Sequence, residues 1–308
     1  MTKKPVAAVM VSVDYLLKFI EEDAPRGDIT SDAIIPDVTC RAAIRAEQAG
    51  IIAGLEEASS LFSHFGISVA RGKTDADVVN TGDILLSLTG SAKKILLVER
   101  TALNIIGRMS GIATQTARMA GIVRSKNPHC RVAATRKTCP GIRALDKKAV
   151  RIGGGEVHRM NLSDGFLIKD NHLALIPLGE AIHAAKKSTA YKKIEVEVET
   201  PGDAFSAAAA GADIILLDNM GPGQVRETLA ALDDAGLRGR VVIELSGGIN
   251  ESTIGEYAAC GVDIISMGAL THTVKNFSVN LEIFPEEKKQ PGSPQSYFCT
   301  EPVRDPLK

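Results

Sequence analysis

The 308-residue chain has no tryptophan, and aromatic residues make up only 4% of it. Its core must therefore be assembled from Ala, Ile, Leu and Val rather than from large rings. An excess of either charge is also lacking: 36 Lys and Arg stand against 37 Asp and Glu, a formal net charge of −1. A general nucleic-acid binder would carry a broad basic surplus, so that class is excluded and any anion site must be local. No apolar run approaches the ~20 residues of a membrane-crossing helix. Lys3-Lys4 before Val6–Val13 faintly imitates a secretion signal, but Asp14 ends the run, and Lys18 and Glu21 continue an amphipathic helix. The cysteines (Cys40, Cys130, Cys139, Cys260 and Cys299) are odd in number and form no C-x-x-C pair. That pattern opposes a disulfide framework and a structural zinc site, and it fits a reducing cytoplasm.

What is present is a concentration of positive charge in one stretch. Thr135-Arg136-Lys137-Thr138, His158-Arg159-Met160-Asn161-Leu162 and Lys169-Asp170-Asn171-His172 place cations at the ends of short apolar runs. From Arg131 to His172 there are nine Lys and Arg against four Asp and Glu. Arg and Lys gathered at strand ends, with His beside them, suit a small polyanion bearing carboxylates or phosphates. A merely solvated charged face would not punctuate a repeating pattern in this way.

The pattern is an apolar, β-branched run ending in a polar residue, followed by a helical stretch. It covers Arg131–Thr135, Gly165–Lys169, Ile194–Glu199, Asp213–Asp218, Arg240–Ser246 and Val262–Gly268. With Ala-rich segments such as Ala204–Ala210 between them, the runs read as βα units around a parallel sheet. Ile214-Ile215-Leu216-Leu217 has the continuous apolar character of a strand covered on both faces. Six units fall short of the eight of a closed barrel. The expected fold class is α/β: an open, incomplete, about six-stranded α/β barrel, preceded by an N-terminal α+β sandwich domain.

The first domain, with its linking helix, is expected over 1–115, with a helix near Ser12–Glu22 and a turn and cap at Gly27-Asp28-Ile29-Thr30. Strand-like pieces are Cys40–Ala46, Gly50–Ala53 and Asp83–Leu88. Ser91–Lys126 reads as a helix broken near Gly107–Gly111. The barrel is expected over 116–284, its last segment packing back on the first domain, and the Pro-rich tail 285–308 is expected to be disordered.

Polar residues at the C-terminal strand ends would face a single mouth. Ser246-Gly247-Gly248-Ile249-Asn250 and Ser266-Met267-Gly268-Ala269-Leu270-Thr271 read as phosphate loops, whose backbone N–H groups and following helices favour an anion. Gly153-Gly154-Gly155 reads as a mobile connection. Glu197 and Asp218 close the third and fourth strands, where carboxylates can bind sugar hydroxyls, hold Mg²⁺ or steady a developing cation. Glu195 and Glu199 share their side of the strand with Glu197. Cys139 reads as a small buried residue before a turn rather than a nucleophile. His158 reads as a hydrogen-bond donor to an anion, since its spacing from His172 suits no common zinc pattern.

Taken together the chain resembles the quinolinate phosphoribosyltransferase family. The resemblance is carried by Glu99-Arg100-Thr101-Ala102-Leu103-Asn104, Ala134-Thr135-Arg136-Lys137-Thr138, His158-Arg159, Lys169-Asp170-Asn171-His172, Glu195-Val196-Glu197-Val198-Glu199, Leu217-Asp218-Asn219, Ser246-Gly247-Gly248-Ile249 and Gly268-Ala269-Leu270-Thr271-His272. It implies a glycosyltransferase that converts quinolinate and phosphoribosyl pyrophosphate into nicotinate mononucleotide, pyrophosphate and CO₂. It further implies that Arg136, His158, Arg159 and Lys169 bind quinolinate, with Thr135 beside them and Arg100 from a partner subunit. Lys137, Lys169, Ser246, Gly247, Gly248, Gly268, Ala269, Leu270 and Mg²⁺ would suit the phosphoribosyl donor. Lys137, Glu197 and Asp218 would be catalytic, the two carboxylates meeting metal directly or through water. A homodimer or larger assembly follows from Arg100 acting in trans, with no nucleic-acid or membrane partner. Lys275-Asn276-Phe277 departs from the family where a smaller Pro/Ala-containing segment is expected at the edge of the phosphate site. Two other readings stay open here: a related transferase acting on another aromatic acid, and a barrel that binds sugar phosphates without catalysis.

Overall fold

The computed structural model describes residues 11–285. The N-terminal basic run and the tail beyond Pro285, with Cys299, lie outside the described residues. The Ser12 hydroxyl accepts from the Tyr15 N–H and starts α1 (Val13–Asp23); Asp28 does the same for α2 (Ile29–Ile34) through Thr30 and Ser31. Then come β1 (Thr39–Ala46), β2 (Gly50–Ile51), α3 (Leu55–His64), β3 (Ser68–Arg71), β4 (Val78–Val79), β5 (Ile84–Ser91) and α4 (Ala92–Lys126). Next are β6 (Arg131–Ala134), α5 (Arg143–Ile152), β7 (Phe166–Ile168), α6 (Asp170–Leu173), α7 (Leu178–Ser188), β8 (Ile194–Val198) and α8 (Pro201–Ala210). The rest is β9 (Ile214–Asp218), α9 (Pro222–Asp234), β10 (Val242–Ser246), α10 (Ile254–Ala258), β11 (Ile264–Met267), α11 (Ala269–His272) and β12 (Val279–Pro285).

Two sheets organise the chain. The first has the order β12-β1-β5-β3, so the last described strand returns to pair antiparallel with β1. The second is six-stranded and parallel, in the order β6-β11-β10-β9-β8-β7. Consecutive strands neighbour one another from β7 to β11, and β6 then joins β11. Strands β6 and β7, which a closed barrel would pair, form the two free edges. The segment after α5 lies along the first of these edges: Glu156 N–H donates to Val132 O (2.8 Å), and Ala134 N–H donates to Glu156 O (3.0 Å). The β9 run is buried on both faces, with Ile215 and Leu217 inaccessible to solvent.

Two expectations are corrected by packing. Helix α4 continues unbroken for 35 residues. Its glycines serve close approach rather than a break. A side chain at Gly111 would collide with the Lys275 carbonyl, and Phe277 N–H donates to Gly107 O (2.8 Å). Phe277 is buried against α4, while Lys275 and Asn276 stay exposed. Gly153-Gly154-Gly155 is tightly seated as well. A Cβ at Gly153 would meet the Ala113 carbonyl, one at Gly155 would press on Thr116 and Val150, and Gly154 has φ +84°.

The two sheets are held together through α4 and through buried charge. Lys148 on α5 pairs with Glu56 (2.6 Å) and Glu57 (2.7 Å) of α3. Asp75, close to this cluster, is raised to about 6, first by burial and then by the Glu57 charge, against its hydrogen bond from Leu55. No helix among the described residues is long and apolar enough to cross a membrane.

Candidate active site

Parallel strands deliver their C-terminal ends to one side, and the cationic and glycine motifs lie there. Thr135, Arg136 and Lys137 follow β6; Lys169 follows β7; Glu197 lies near the end of β8; Asp218 and Ser246 end β9 and β10; Gly268 follows β11. His158 and Arg159 come instead from the segment at the open edge beside β6.

The first loop is built for display. Lys137 N–H donates to the Thr135 hydroxyl (3.1 Å), and Lys137 O accepts from the Thr271 hydroxyl (2.8 Å). These bonds fix the backbone while the Lys137 side chain stays exposed. Its stem runs over Gly268, where a Cβ would come within 2.9 Å of it. The first and last loops of the barrel therefore meet at Lys137.

Arg136 and Arg159 are half-buried neighbours, and the Nε of each is buried without a hydrogen-bond partner. Burial, and then the charge of Arg136, push Arg159 below its ordinary value. Arg159 donates one bond from Nη1, to Gly165 O (3.2 Å). Two guanidinium groups held together with so few acceptors constitute an unfilled demand for anion. Lys169, 41% exposed, contacts the Glu197 carboxylate and still faces solvent. Asp218 Oδ2 accepts from Asn219 Nδ2 (2.7 Å).

The glycines after β10 have a conformational reason. Gly247 (φ +99°) and Gly248 (φ +60°) lie in the left-handed region, and a side chain on Gly247 would overlap Asn219. The helix dipoles expected behind the two loops are weaker than the motifs suggested. α10 begins only at Ile254 and spans five residues, and α11 spans four. What the loops offer is backbone N–H. Leu270 accordingly presents main chain only, because its side chain is 2% exposed in the core. Cys139 is exposed rather than buried, with Arg108 Nη2 3.8 Å from its sulfur. Arg100 is exposed on α4, and no hydrogen bond or ion pair joins it to the barrel among the described residues.

Charged residues lie beneath the mouth, and Lys147, Arg143 and Glu244 among them belong to no motif in the sequence. His158 (φ +51°) has its Nε2 2.8 Å from Glu195 and 3.8 Å from Glu244. Burial pulls the imidazole down, but the hydrogen bond and charge of Glu195, with Glu244 behind it, outweigh this and raise it. Glu244 is raised to about 7 by burial and then by the Glu195 charge. Lys147 is 1% exposed, and burial, then Arg143 and Arg136, lower it to about 8. Arg143 donates to the Thr138 hydroxyl (3.1 Å) and to Met160 O (3.0 Å).

Arg108 links these parts to α4. Its guanidinium grips the fully buried Asp146 at 2.8 and 3.0 Å and donates to Thr271 O (3.0 Å). Arg108→Ala would strand the Asp146 carboxylate without its counter-charge, so unfolding in urea is expected to lose about 3–5 kcal/mol. A loss below about 1 kcal/mol would show that the pair is not a structural anchor.

Comparison with known proteins agrees with this architecture. The family models for the N-terminal and C-terminal domains of quinolinate phosphoribosyl transferase match residues 28–110 and 112–282. A probable nicotinate-nucleotide pyrophosphorylase (carboxylating) of Methanothermobacter thermautotrophicus is 45% identical over 274 residues, covering 88% of this chain and 98% of that protein. A nicotinate-nucleotide pyrophosphorylase (carboxylating) of Mycobacterium leprae is 35% identical, covering 88% and 96%. The crystal structure of NadC from Streptococcus pyogenes superposes with a TM-score of 0.82 at 34% identity, covering 89% of this chain and 98% of that one. Two consecutive domain matches, the whole-length likeness and the open six-stranded sheet lead to one assignment: the chain belongs to the quinolinate phosphoribosyltransferase family.

Proposed function

We propose that the protein transfers the phosphoribosyl group of phosphoribosyl pyrophosphate to quinolinate with decarboxylation, forming nicotinate mononucleotide for NAD biosynthesis. The observation that carries this reading is the unbalanced positive charge of Arg136 and Arg159, each with a buried, unpartnered Nε. Adjacent guanidinium groups repel until an anion enters, and a planar dicarboxylate offers each a matching acceptor.

Arg136, His158, Arg159 and Lys169 hold the two carboxylates, with Thr135 beside them, and aim the ring nitrogen at the anomeric carbon. Lys137 and the backbone of Ser246, Gly247, Gly248, Gly268, Ala269 and Leu270 receive the phosphates. Glu197 and Asp218 meet the ribose hydroxyls and favour the positive charge that develops on the sugar. The bond from the anomeric carbon to pyrophosphate breaks, its electron pair leaving with pyrophosphate, and the nitrogen lone pair forms the new bond. The ring nitrogen is then positive, so the adjacent carboxylate departs as CO₂. Its electron pair stays on the ring carbon, which takes up a proton. No general base is needed; positioning and electrostatics supply the rate.

The carboxylate oxygens of Glu197 and Asp218 are donors of the kind Mg²⁺ accepts alongside substrate phosphates and water. With Glu197 touching Lys169 and Asp218 touching Asn219, they fit an ion arriving with the donor substrate better than a closed cage. When bound, it neutralises charge on the departing pyrophosphate. The exposed Arg100, with no hydrogen bond or ion pair to its own barrel among the described residues, fits a working unit of at least two subunits, each completing the other's site; a cytoplasmic location suits free cysteines and a soluble substrate.

The purified protein, given quinolinate, phosphoribosyl pyrophosphate and Mg²⁺, is expected to release nicotinate mononucleotide, pyrophosphate and CO₂ in equal amounts. Preference for another aromatic acid without CO₂ release, or binding without turnover, would overturn the reading.

A further inference from the structure

The interior of an α/β barrel is ordinarily filled by branched apolar side chains. Here Glu195 of β8 and Glu244 of β10, 4% and 1% exposed, share that interior with Lys147 of α5. Removing such groups from water costs several kcal/mol apiece unless partners compensate. Their closest backbone and imidazole partners come from one short segment, and the Ser266 hydroxyl acts on Glu244 besides. Lys147 Nζ donates to the carbonyls of Val157 and Arg159 (3.3 Å for the latter), on either side of His158. Glu195 Oε2 holds His158 Nε2 at 2.8 Å, and Glu244 Oε1 stands 3.8 Å from the same nitrogen. His158 itself has φ +51°, a backbone state that a residue with a side chain keeps only under external constraint.

We propose that Lys147, Glu195 and Glu244 are positioning residues for quinolinate recognition, clamping the Val157–Arg159 segment so that His158 and Arg159 face the dicarboxylate. Lys147 clamps the main chain from below. Glu195 occupies Nε2 and turns the ring, with the Glu244 charge behind it, leaving Nδ1 for the substrate; the partner of one ring nitrogen sets the role of the other. Among the described residues Glu195 Oε1 and Glu244 Oε1 carry no hydrogen bond, so Glu195 holds the ring through Oε2 alone and Glu244 acts on it by charge. The three ligand atoms of His158, Glu195 and Glu244 lie within 4.8 Å of one another, the spacing of a cation site. The charge of Lys147 acts on Glu244 without a direct ion pair among the described residues.

This inference rests on His158 and Arg159 meeting the carboxylates of quinolinate, as in the function proposed above. Its test is a division between the two substrates. Glu195→Ala and Lys147→Met are expected to raise KM for quinolinate by about tenfold or more, the equivalent of one lost bond to a charged group. KM for phosphoribosyl pyrophosphate should stay within about twofold of wild type. Glu195→Gln keeps the volume and one hydrogen bond, and decides the matter where the other variants do not fold. It should raise KM for quinolinate by about threefold, with an unchanged melting temperature. Equal rises in both KM values, a fall in kcat alone, or no change in either KM would mean that the buried charges only stabilise the barrel. A wild-type protein that forms no nicotinate mononucleotide would sink both the function and this inference; an active wild type with undivided KM values would sink the inference alone.

Discussion

Replacing Lys137 with alanine is expected to lower kcat by about 100-fold or more, equivalent to about 2.7 kcal/mol of transition-state stabilisation. Lys137 is exposed, so deleting its side chain opens no cavity and breaks no buried pair, and the melting temperature should not move. Its backbone is tied at both ends, to Thr135 in its own loop and to Thr271 in the last one. The ammonium is thus delivered on a fixed base beside Gly268, and the partner proposed for it is the pyrophosphate end of the donor substrate. Charge on pyrophosphate grows as the glycosidic bond breaks, and a cation that meets growing charge acts on kcat more than on binding. Turnover within about threefold of wild type, with the fold intact, would take Lys137 out of the catalytic set.

The barrel could be read along the chain because each of its strands is a short β-branched run that ends at a polar residue. The strand ends fell within a residue or two of the runs, Ile214–Asp218 and Val242–Ser246 among them. The strands outside the barrel were less legible. Ser68–Arg71 and Val78–Val79 are too short to show a period, and Val279–Pro285 is defined by its pairing with β1, across most of the chain. The unbroken α4 was hidden for a related reason. A glycine in a helix weakens it locally, and only the approach of Lys275 and Phe277 explains why Gly107 and Gly111 are there.

In the site, the cations announced themselves by position and the buried groups did not. Arg136, Lys137 and Lys169 sit where strands end, so their placement followed from the repeat. Glu244 left one trace: it is the single acid in the apolar run Val241-Val242-Ile243-Glu244-Leu245. Lys147 left none. In Arg143-Ala144-Leu145-Asp146-Lys147-Lys148 four charged residues look like the outer face of a helix, yet Asp146, Lys147 and Lys148 are all buried. Each is buried because a different neighbour waits for it: Arg108 from α4, the Val157 and Arg159 carbonyls, and Glu56 with Glu57 from α3. Those partners are distant in sequence or lie in irregular backbone, where no periodicity reports them. The tertiary structure decides such charges, not the local pattern.

Mixing two inactive variants is expected to restore activity. Arg100→Ala and Lys169→Ala should each be nearly inactive alone, the first lacking the cation offered to the neighbour, the second the cation of its own barrel. Arg100 is exposed and hydrogen-bonds to nothing in its own barrel among the described residues, whereas Lys169 stands at the mouth against Glu197. In a twofold assembly each site takes one barrel and one foreign Arg100. A hybrid dimer then has one site lacking both cations and one site lacking neither. Random reassociation makes half of the dimers hybrid, so an equimolar mixture should recover roughly a quarter of wild-type activity. The recovered sites are intact, so KM for both substrates should equal the wild-type value. If hybrids form, shown by a tag on one variant, and the mixture stays inactive, Arg100 acts within its own chain and the shared site is wrong. The same null result would leave the barrel chemistry standing, because Lys137 and Lys169 are held by contacts within their own barrel.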